Sequence, residues 1–99
     1  MKIAFLIYHD VLEDRVEIIL DELHIDSYTK WENVTGKFHN NDPLLGTRIY
    51  PGLEAVRLIP FTEEETVNKL VKKIEEFNSK AVKTIDEIRL FILPLEKIV

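Results

Sequence analysis

The sequence predicts an α+β fold in which four strands form one antiparallel sheet and two helices cover one of its faces. Segments of strand character and segments with helical spacing of apolar residues follow one another in the order βαββαβ. A long stretch of turn-forming residues separates the second and third strands. The chain has 99 residues and no cysteine, so residues 1–99 are predicted to form one small domain that is stabilised by packing without disulfides.

Composition narrows the range of functions. The formal net charge is -5, which disfavours nucleic acid as a partner because a phosphate backbone is bound by basic surfaces. The longest apolar run is far shorter than the roughly 20 residues that cross a membrane, so we expect no membrane insertion. No small-residue cleavage site follows that run, and we therefore expect a cytoplasmic protein.

The first strand is predicted over Lys2–His9, a nearly continuous apolar segment. Both of its faces are apolar, as expected for a central strand. A helix follows from Asp10 to about Leu23, and Asp10 with Glu13 is predicted to form a capping box at its start. The apolar stripe of this helix contains Leu12, Val16, Ile19, Leu20 and Leu23.

The second and third strands flank the long loop. The second is predicted over 28–35, with Trp31 on the face opposite Lys30 and Glu32. Residues 36–52 are rich in Asn, Asp, Gly and Pro, and a loop of this length in so small a domain predicts a functional element. The third strand is predicted over 53–59, ended by Pro60, with Arg57 on the same face as Ala55 and Ile59.

The second helix begins with another predicted capping box, Thr62–Glu65. Its apolar stripe contains Val67, Leu70, Val71, Ile74 and Phe77. The last strand is predicted over 88–99, and Pro94 within it indicates a bulge, a sheet edge or a change of partner.

This order of elements is that of the ferredoxin-like fold, in which two βα units interleave in one antiparallel sheet. The helices then cover only one face of the sheet. Because the first strand is apolar on both faces, we expect further copies of the chain to cover the other face.

The element order and the position of the long loop resemble those of the PII-like signalling proteins. Local similarities are Lys2-Ile3, the Leu23-x-Ile25 step after the first helix, the Val34-Thr35-Gly36 exit into the loop, and the closing strand Arg89-Leu-Phe-Ile-Leu. The resemblance implies a homotrimer that binds a small anionic ligand, with adenine nucleotide as the first candidate, between its subunits. It also implies a regulatory protein, not an enzyme, that signals through the loop to a partner such as a transporter.

Five residues are predicted to bind the ligand: Gly36, Lys37, Arg48, Lys83 and Arg89. A glycine permits close backbone approach, and the cationic side chains can donate charge-assisted hydrogen bonds. Solvated surface charge is the alternative interpretation of the four cations. Residues 78–87 contain no glycine, whereas typical PII-like proteins have a glycine-rich phosphate loop there, so a backbone cradle for phosphate is not expected.

The alternative function is a metal-handling oligomer similar to the CutA-type proteins. His39 and Asp42 lie close together in the long loop, and an imidazole with a carboxylate can bind a transition metal. No His-x-x-x-His spacing places two ligands on one helix face. The sequence therefore leaves both a nucleotide and a transition metal open as ligands.

Two other activities that occur on this fold lack the residues they need. Acylphosphatase chemistry would require a glycine-rich anion loop with an arginine after the first strand, where this chain has Tyr8–Val11. RNA binding would require aromatic residues in the third strand, where Leu53–Arg57 has none. Neither Ser27 nor Ser79 has the neighbouring histidine that would activate a nucleophile. We therefore predict no catalytic activity.

Overall fold

The structure, a computed structural model, describes residues 1–38 and 40–99. Its strands are β1 (Lys2–His9), β2 (Thr29–Val34), β3 (Glu54–Phe61) and β4 (Arg89–Pro94). Its helices are α1 (Glu13–Glu22) and α2 (Glu64–Ser79), with 3-10 turns at Asp10–Leu12 and Thr84–Asp86. No helix among the described residues is both long and apolar enough to cross a membrane.

The four strands form one sheet in the order β2-β3-β1-β4, and each neighbouring pair is antiparallel. β1 is an interior strand, as predicted: it pairs with β3 along its whole length and with β4 from Lys2 to Ile7. Both helices pack on the same face of this sheet. The ferredoxin-like fold class predicted from the sequence is therefore confirmed.

The hydrophobic core lies between the two helices and the sheet. Alternate residues of β1 and β3 point into it, as their period-two pattern predicts. Both helical stripes also face it, with their outermost members half-buried. The fully packed members are Ala4, Leu6, Tyr8, Val16, Ile19, Leu20, Ala55, Ile59, Phe61, Val67, Leu70, Ile74 and Ile88.

The predicted capping boxes do not form. α1 begins at Glu13 instead of Asp10 and no side chain caps it, because the carboxylate of Glu13 accepts hydrogen bonds from Tyr8 and Arg57. α2 begins at Glu64, again without a side-chain cap. The acidic residues in both first turns still lie at the positive end of a helix dipole, where their charge is favourable.

Two strands differ in length from the prediction. β3 continues through Pro60 to Phe61, and Pro60 is tolerated there because β2 pairs with β3 only as far as Leu58. β4 ends at Pro94, short of the predicted end at residue 99. Since β4 is the edge strand beside β1, Pro94 marks a sheet edge, one of the three alternatives its position indicated.

The long loop between β2 and β3 contains hydrogen-bonded turns. Gly36 and Leu44 exchange two backbone hydrogen bonds of 3.0 and 2.7 Å, and the Leu44 side chain is buried. Further along, the N–H of Gly46 donates to the carbonyl of Gly52 at 2.8 Å. Gly46 and Gly52 both have a positive φ, which a residue with a β-carbon rarely adopts. The predicted loop thus folds back on itself and returns to the edge of the sheet.

The sheet face opposite the helices is apolar and uncovered in the single chain. Phe91, Trp31 and Leu93 each expose 46–47% of their surface there. An apolar patch shared by all four strands is the kind of surface at which proteins associate. Its main members are Ile3, Phe5, Ile7, Trp31, Val56, Leu58, Phe91 and Leu93.

Candidate functional site

A narrow pocket lies where β1 ends and where β3 and β4 begin. Its walls are the sheet ends at His9, Glu54 and Arg89, the start of the long loop, and residues 84–87. Because the strands are antiparallel, the end of β1 lies beside the starts of its two neighbours, and polar residues converge there. The enclosed space is about 10 Å³, which is room for about one water molecule.

An ion pair between Glu54 and Arg89 forms the centre of the pocket. In the sheet register Glu54 lies opposite His9 and Arg89 lies opposite Ile7, so the two side chains meet across β1. The guanidinium of Arg89 donates to the carboxylate of Glu54. Glu54 is only 5% exposed, so water screens this pair far less than it screens a surface pair.

The long loop holds both members of this pair. The Arg89 guanidinium lies 4.5 Å from the ring centroid of Phe38, within the range of a cation–π interaction. The Glu54 carboxylate lies against Gly36, and a β-carbon at residue 36 would overlap one of its oxygens. The close approach that Gly36 permits is therefore occupied by a carboxylate of the same chain.

The loop also contacts the segment that leads into β4. The side chains of Asn41 and Thr84 exchange hydrogen bonds of 3.2 and 3.3 Å. Behind this contact, the Asn78 amide donates to the Ile88 carbonyl and accepts from its N–H, both at 2.8 Å. The loop, the pocket and the start of β4 are thus connected by specific side-chain contacts.

Carboxylates outnumber cationic side chains in the pocket. Asp42, Glu54 and Glu87 line it together with Lys37 and Arg89. The charge of Arg89 is balanced by Glu54, whereas Lys37 forms no ion pair with another described residue. As it stands, the pocket does not present a strongly positive surface to an anion.

Three of the predicted ligand-binding residues, Gly36, Lys37 and Arg89, lie together in this pocket. The other two do not join them: Arg48 is on the exposed far part of the loop, and Lys83 is exposed just before the pocket-lining Thr84. Sequence reasoning did not single out Glu54. An acidic residue at the start of a strand carries no local pattern that would reveal its partner.

The described residues lend a metal site no support. Asp42 lines the pocket, but His39, its predicted partner, lies outside the described residues. Over residues 1–38 and 40–99, no group of three or more His, Cys, Asp or Glu side chains is arranged to hold a metal ion.

A second polar cluster is buried on the other face of the sheet, beneath α1. Arg57 is completely buried and donates to the Tyr8 hydroxyl at 3.1 Å, to Glu17 at 2.7 Å and to Glu13. Its guanidinium also lies 4.5 Å from the ring centroid of Tyr28. The strand alternation correctly placed Arg57 on the core face, and a cation at that position is the signal that predicts such a cluster.

The electrostatics of this cluster indicate a structural role. Burial raises the pKa of Tyr8 to about 12, so its hydroxyl is neutral. Burial would lower the pKa of Arg57, but the hydrogen bonds to Glu17, Glu13 and Tyr8 raise it above its ordinary value. The hydrogen bond from Arg57 lowers the pKa of Glu17. At neutral pH, Arg57 and Glu17 are therefore oppositely charged and firmly paired.

Acid should weaken the fold through Glu17. A carboxyl whose pKa is lowered by folding adds stability above its ordinary pKa of 4.5, and that stability is lost as the pH falls through the folded value. We expect the urea midpoint to fall between about pH 5 and pH 3, and Glu17→Gln to reduce this dependence. Urea titrations followed by circular dichroism measure it, with Glu75→Gln on exposed α2 as the control. An unchanged pH dependence in Glu17→Gln would contradict the assignment.

Comparison with known proteins gives a match in structure. Neither a protein-family model nor a curated protein matches the sequence. The structure of CPII from Thiomonas intermedia K12 bound to ADP and bicarbonate aligns with a TM-score of 0.73 and 17% identity, covering 93% of this chain and 82% of that chain. Its apo form aligns with a TM-score of 0.68, 17% identity and coverages of 93% and 85%. A PII-like signalling protein from Thermus thermophilus gives 0.62, 11%, 93% and 83% for the same quantities.

Sequence identities of 11–17% concern the fold. The alignments cover nearly all of this chain and most of each neighbour, so the likeness extends over the whole domain. The predicted resemblance is thus confirmed at the level of architecture, and the chain has the ferredoxin-like fold of the PII-like proteins.

Proposed function

We propose that this chain is a PII-like regulatory protein of the cytoplasm that binds a small anionic ligand between the subunits of a homotrimer. The observation that supports this most is the pocket, in which Gly36, Lys37 and Arg89 lie together where the long loop meets β4. Adenine nucleotide is the first candidate ligand, because CPII structures of the same fold are bound to ADP, AMP and bicarbonate. The role is regulatory and not catalytic.

The size of the pocket supports a site between subunits. Its enclosed space of about 10 Å³ is far below the roughly 300 Å³ at which small-molecule sites begin. An anionic group can reach Lys37 and Arg89 only if the rest of the ligand lies outside the pocket. A neighbouring subunit would supply the surface against which that remainder packs.

The exposed apolar sheet face supports the trimer. A single chain leaves Phe91, Leu93 and Trp31 about half exposed, and covering them with further copies removes that surface from water. The pocket lies at the end of this same sheet, where Glu54 and Arg89 are on the uncovered face. Association through this face would therefore bring a neighbouring chain close to the pocket.

The contacts of the loop support signalling to a protein partner. A ligand that binds Arg89 competes with its contact to Phe38, so the loop would respond to occupancy. The far part of the loop exposes Ile49 by 81%, with Leu45 and Tyr50 also exposed. Aromatic and apolar side chains of this kind are favoured at protein interfaces. A transporter is one class of partner that such a loop could contact.

Thermal unfolding in the presence of candidate ligands tests the proposal. A ligand that binds the folded state raises the unfolding midpoint in a concentration-dependent way. We expect ATP, ADP, AMP or cyclic AMP to raise it, with or without bicarbonate. Copper, zinc and nickel salts are measured in parallel. A rise with a metal alone would contradict the nucleotide proposal.

Removing the Arg89 side chain should weaken ligand binding. We expect Arg89→Ala to lose about 1 to 3 kcal/mol of nucleotide binding free energy, the cost of a hydrogen bond to a charged group. Calorimetry with the nucleotide found by thermal unfolding measures this loss. Lys83→Ala is the matched control, because it removes a cation that does not line the pocket. Equal affinity in Arg89→Ala and the parent chain would remove Arg89 from the site.

A further inference from the structure

We propose that the carboxylate of Glu54 competes internally with the anionic ligand for Arg89, so that the ligand binds by displacing it. The inference rests on the proposed function and adds what sets the affinity of the site. In the structure Arg89 already has an anionic partner, and that partner belongs to the chain itself.

The position of Glu54 is that of a bound anion. Its carboxylate accepts from Arg89, lies against the backbone of Gly36, and is almost completely shielded from water. These two residues, one a charged donor and one lacking a β-carbon, are the features that the sequence predicts for contact with the anionic group of a ligand. The carboxylate uses both of them at once.

The shape of the pocket leaves no room for a second anion at Arg89. The enclosed space holds about one water molecule, whereas a phosphate or a bicarbonate is larger. On its other side, the Arg89 guanidinium is covered by the ring of Phe38. An incoming anion therefore has to take the place of the Glu54 carboxylate.

The charges of the pocket point the same way. While Glu54 is paired, Lys37 is the cation left over, and it is opposed by Asp42 and Glu87. An anion that enters exchanges one carboxylate–guanidinium pair for another, so its apparent affinity is reduced by the stability of the pair it breaks. Removing the charge of Glu54 should remove that competition.

Glu54→Gln is the first test, because glutamine keeps the size and an acceptor oxygen while it removes the charge. We expect ADP or bicarbonate to bind it at least about tenfold more tightly than the parent chain, a difference of about 1.4 kcal/mol. Glu87→Gln is the matched control: it removes the same charge from the same pocket, and Glu87 forms no ion pair among the described residues. We expect its affinity to stay within about threefold of the parent, since long-range charge effects are screened by salt.

Gly36→Ala is a second, independent test that leaves every charge in place. Its β-carbon would overlap the carboxylate of Glu54, which is the end of a flexible side chain and can move away from Arg89. Gly36 does not have a positive φ, so alanine fits the backbone. We expect tighter ADP or bicarbonate binding here too, and this variant still decides the matter if Glu54→Gln fails to fold.

Calorimetry on the parent chain and the three variants separates the outcomes. Tighter binding by Glu54→Gln and Gly36→Ala, but not by Glu87→Gln, supports internal competition. Equal or weaker binding by the two variants, with clear binding by the parent, overturns the competition and leaves the proposed function intact. Binding of neither probe to any of the four chains overturns the ligand-binding function itself, and the competition with it.

Discussion

Replacing Arg57 with alanine is expected to lower the free energy of unfolding by about 3 to 5 kcal/mol. The side chain is completely buried, so its removal leaves a cavity beneath α1. It also leaves the Tyr8 hydroxyl, Glu13 and Glu17 without their shared donor. A domain of this size has roughly 5 to 15 kcal/mol of stability in all, so such a loss would unfold a visible fraction of the molecules.

Urea unfolding followed by circular dichroism measures the effect of this change. Arg48→Ala is the matched control, because Arg48 is exposed and forms no ion pair with a described residue; it should shift stability by less than about 0.5 kcal/mol. Adding Glu13→Gln and Glu17→Gln to the Arg57→Ala chain should recover part of the loss, since the unpaired carboxylates are then uncharged. A loss below about 1 kcal/mol in Arg57→Ala would show that the cluster does not support the fold.

Replacing Phe91 with glutamate is expected to dissociate the proposed trimer. Phe91 lies on β4 in the uncovered apolar face, directly opposite Phe5 of β1. A charge there would have to leave water when another chain covers the face, which is strongly unfavourable without a partner. The mass by light scattering should fall from three times the chain mass of 11.6 kDa to that of one chain.

The helix layer provides the control for this change. Ile18 on α1 is 49% exposed, close to the 47% of Phe91, but it is outside the sheet face. Ile18→Glu should therefore leave the mass unchanged. A parent chain that is monomeric at micromolar concentration would contradict the trimer, and an unchanged mass in Phe91→Glu would place the interface elsewhere.

The fold could be predicted from the sequence because its strongest signals are periodic. Two helical stripes and the two apolar faces of the first strand determine which side of each element is buried, and these signals do not depend on distant residues. The starts of the helices were predicted less well for the opposite reason. Glu13 matches a local capping pattern, yet its carboxylate binds Arg57, which is far away in sequence.

Part of the candidate site could be predicted in the same way. In a βαββαβ sheet, the exit of the second strand and the start of the last strand reach the same edge, so Gly36 and Arg89 could be placed together from topology. The role of Glu54 could not. Its pairing with Arg89 depends on the register of β3 and β4 against β1, and side-chain periodicity alone does not set the register of two strands against a third.

The central position of β1 also has a consequence for how the chain folds. β1 is the first element in chain order, and its two partners, β3 and β4, follow much later, with nearly the whole chain between Lys2 and its neighbour Pro94. Contacts between such distant segments form slowly, because a large loop has to close before pairing begins. During synthesis β1 would emerge with two unpaired edges and two apolar faces, and it would stay open on one side until β4 appears. Nascent chains that stop before β4 should therefore depend on chaperones to avoid aggregation through this edge.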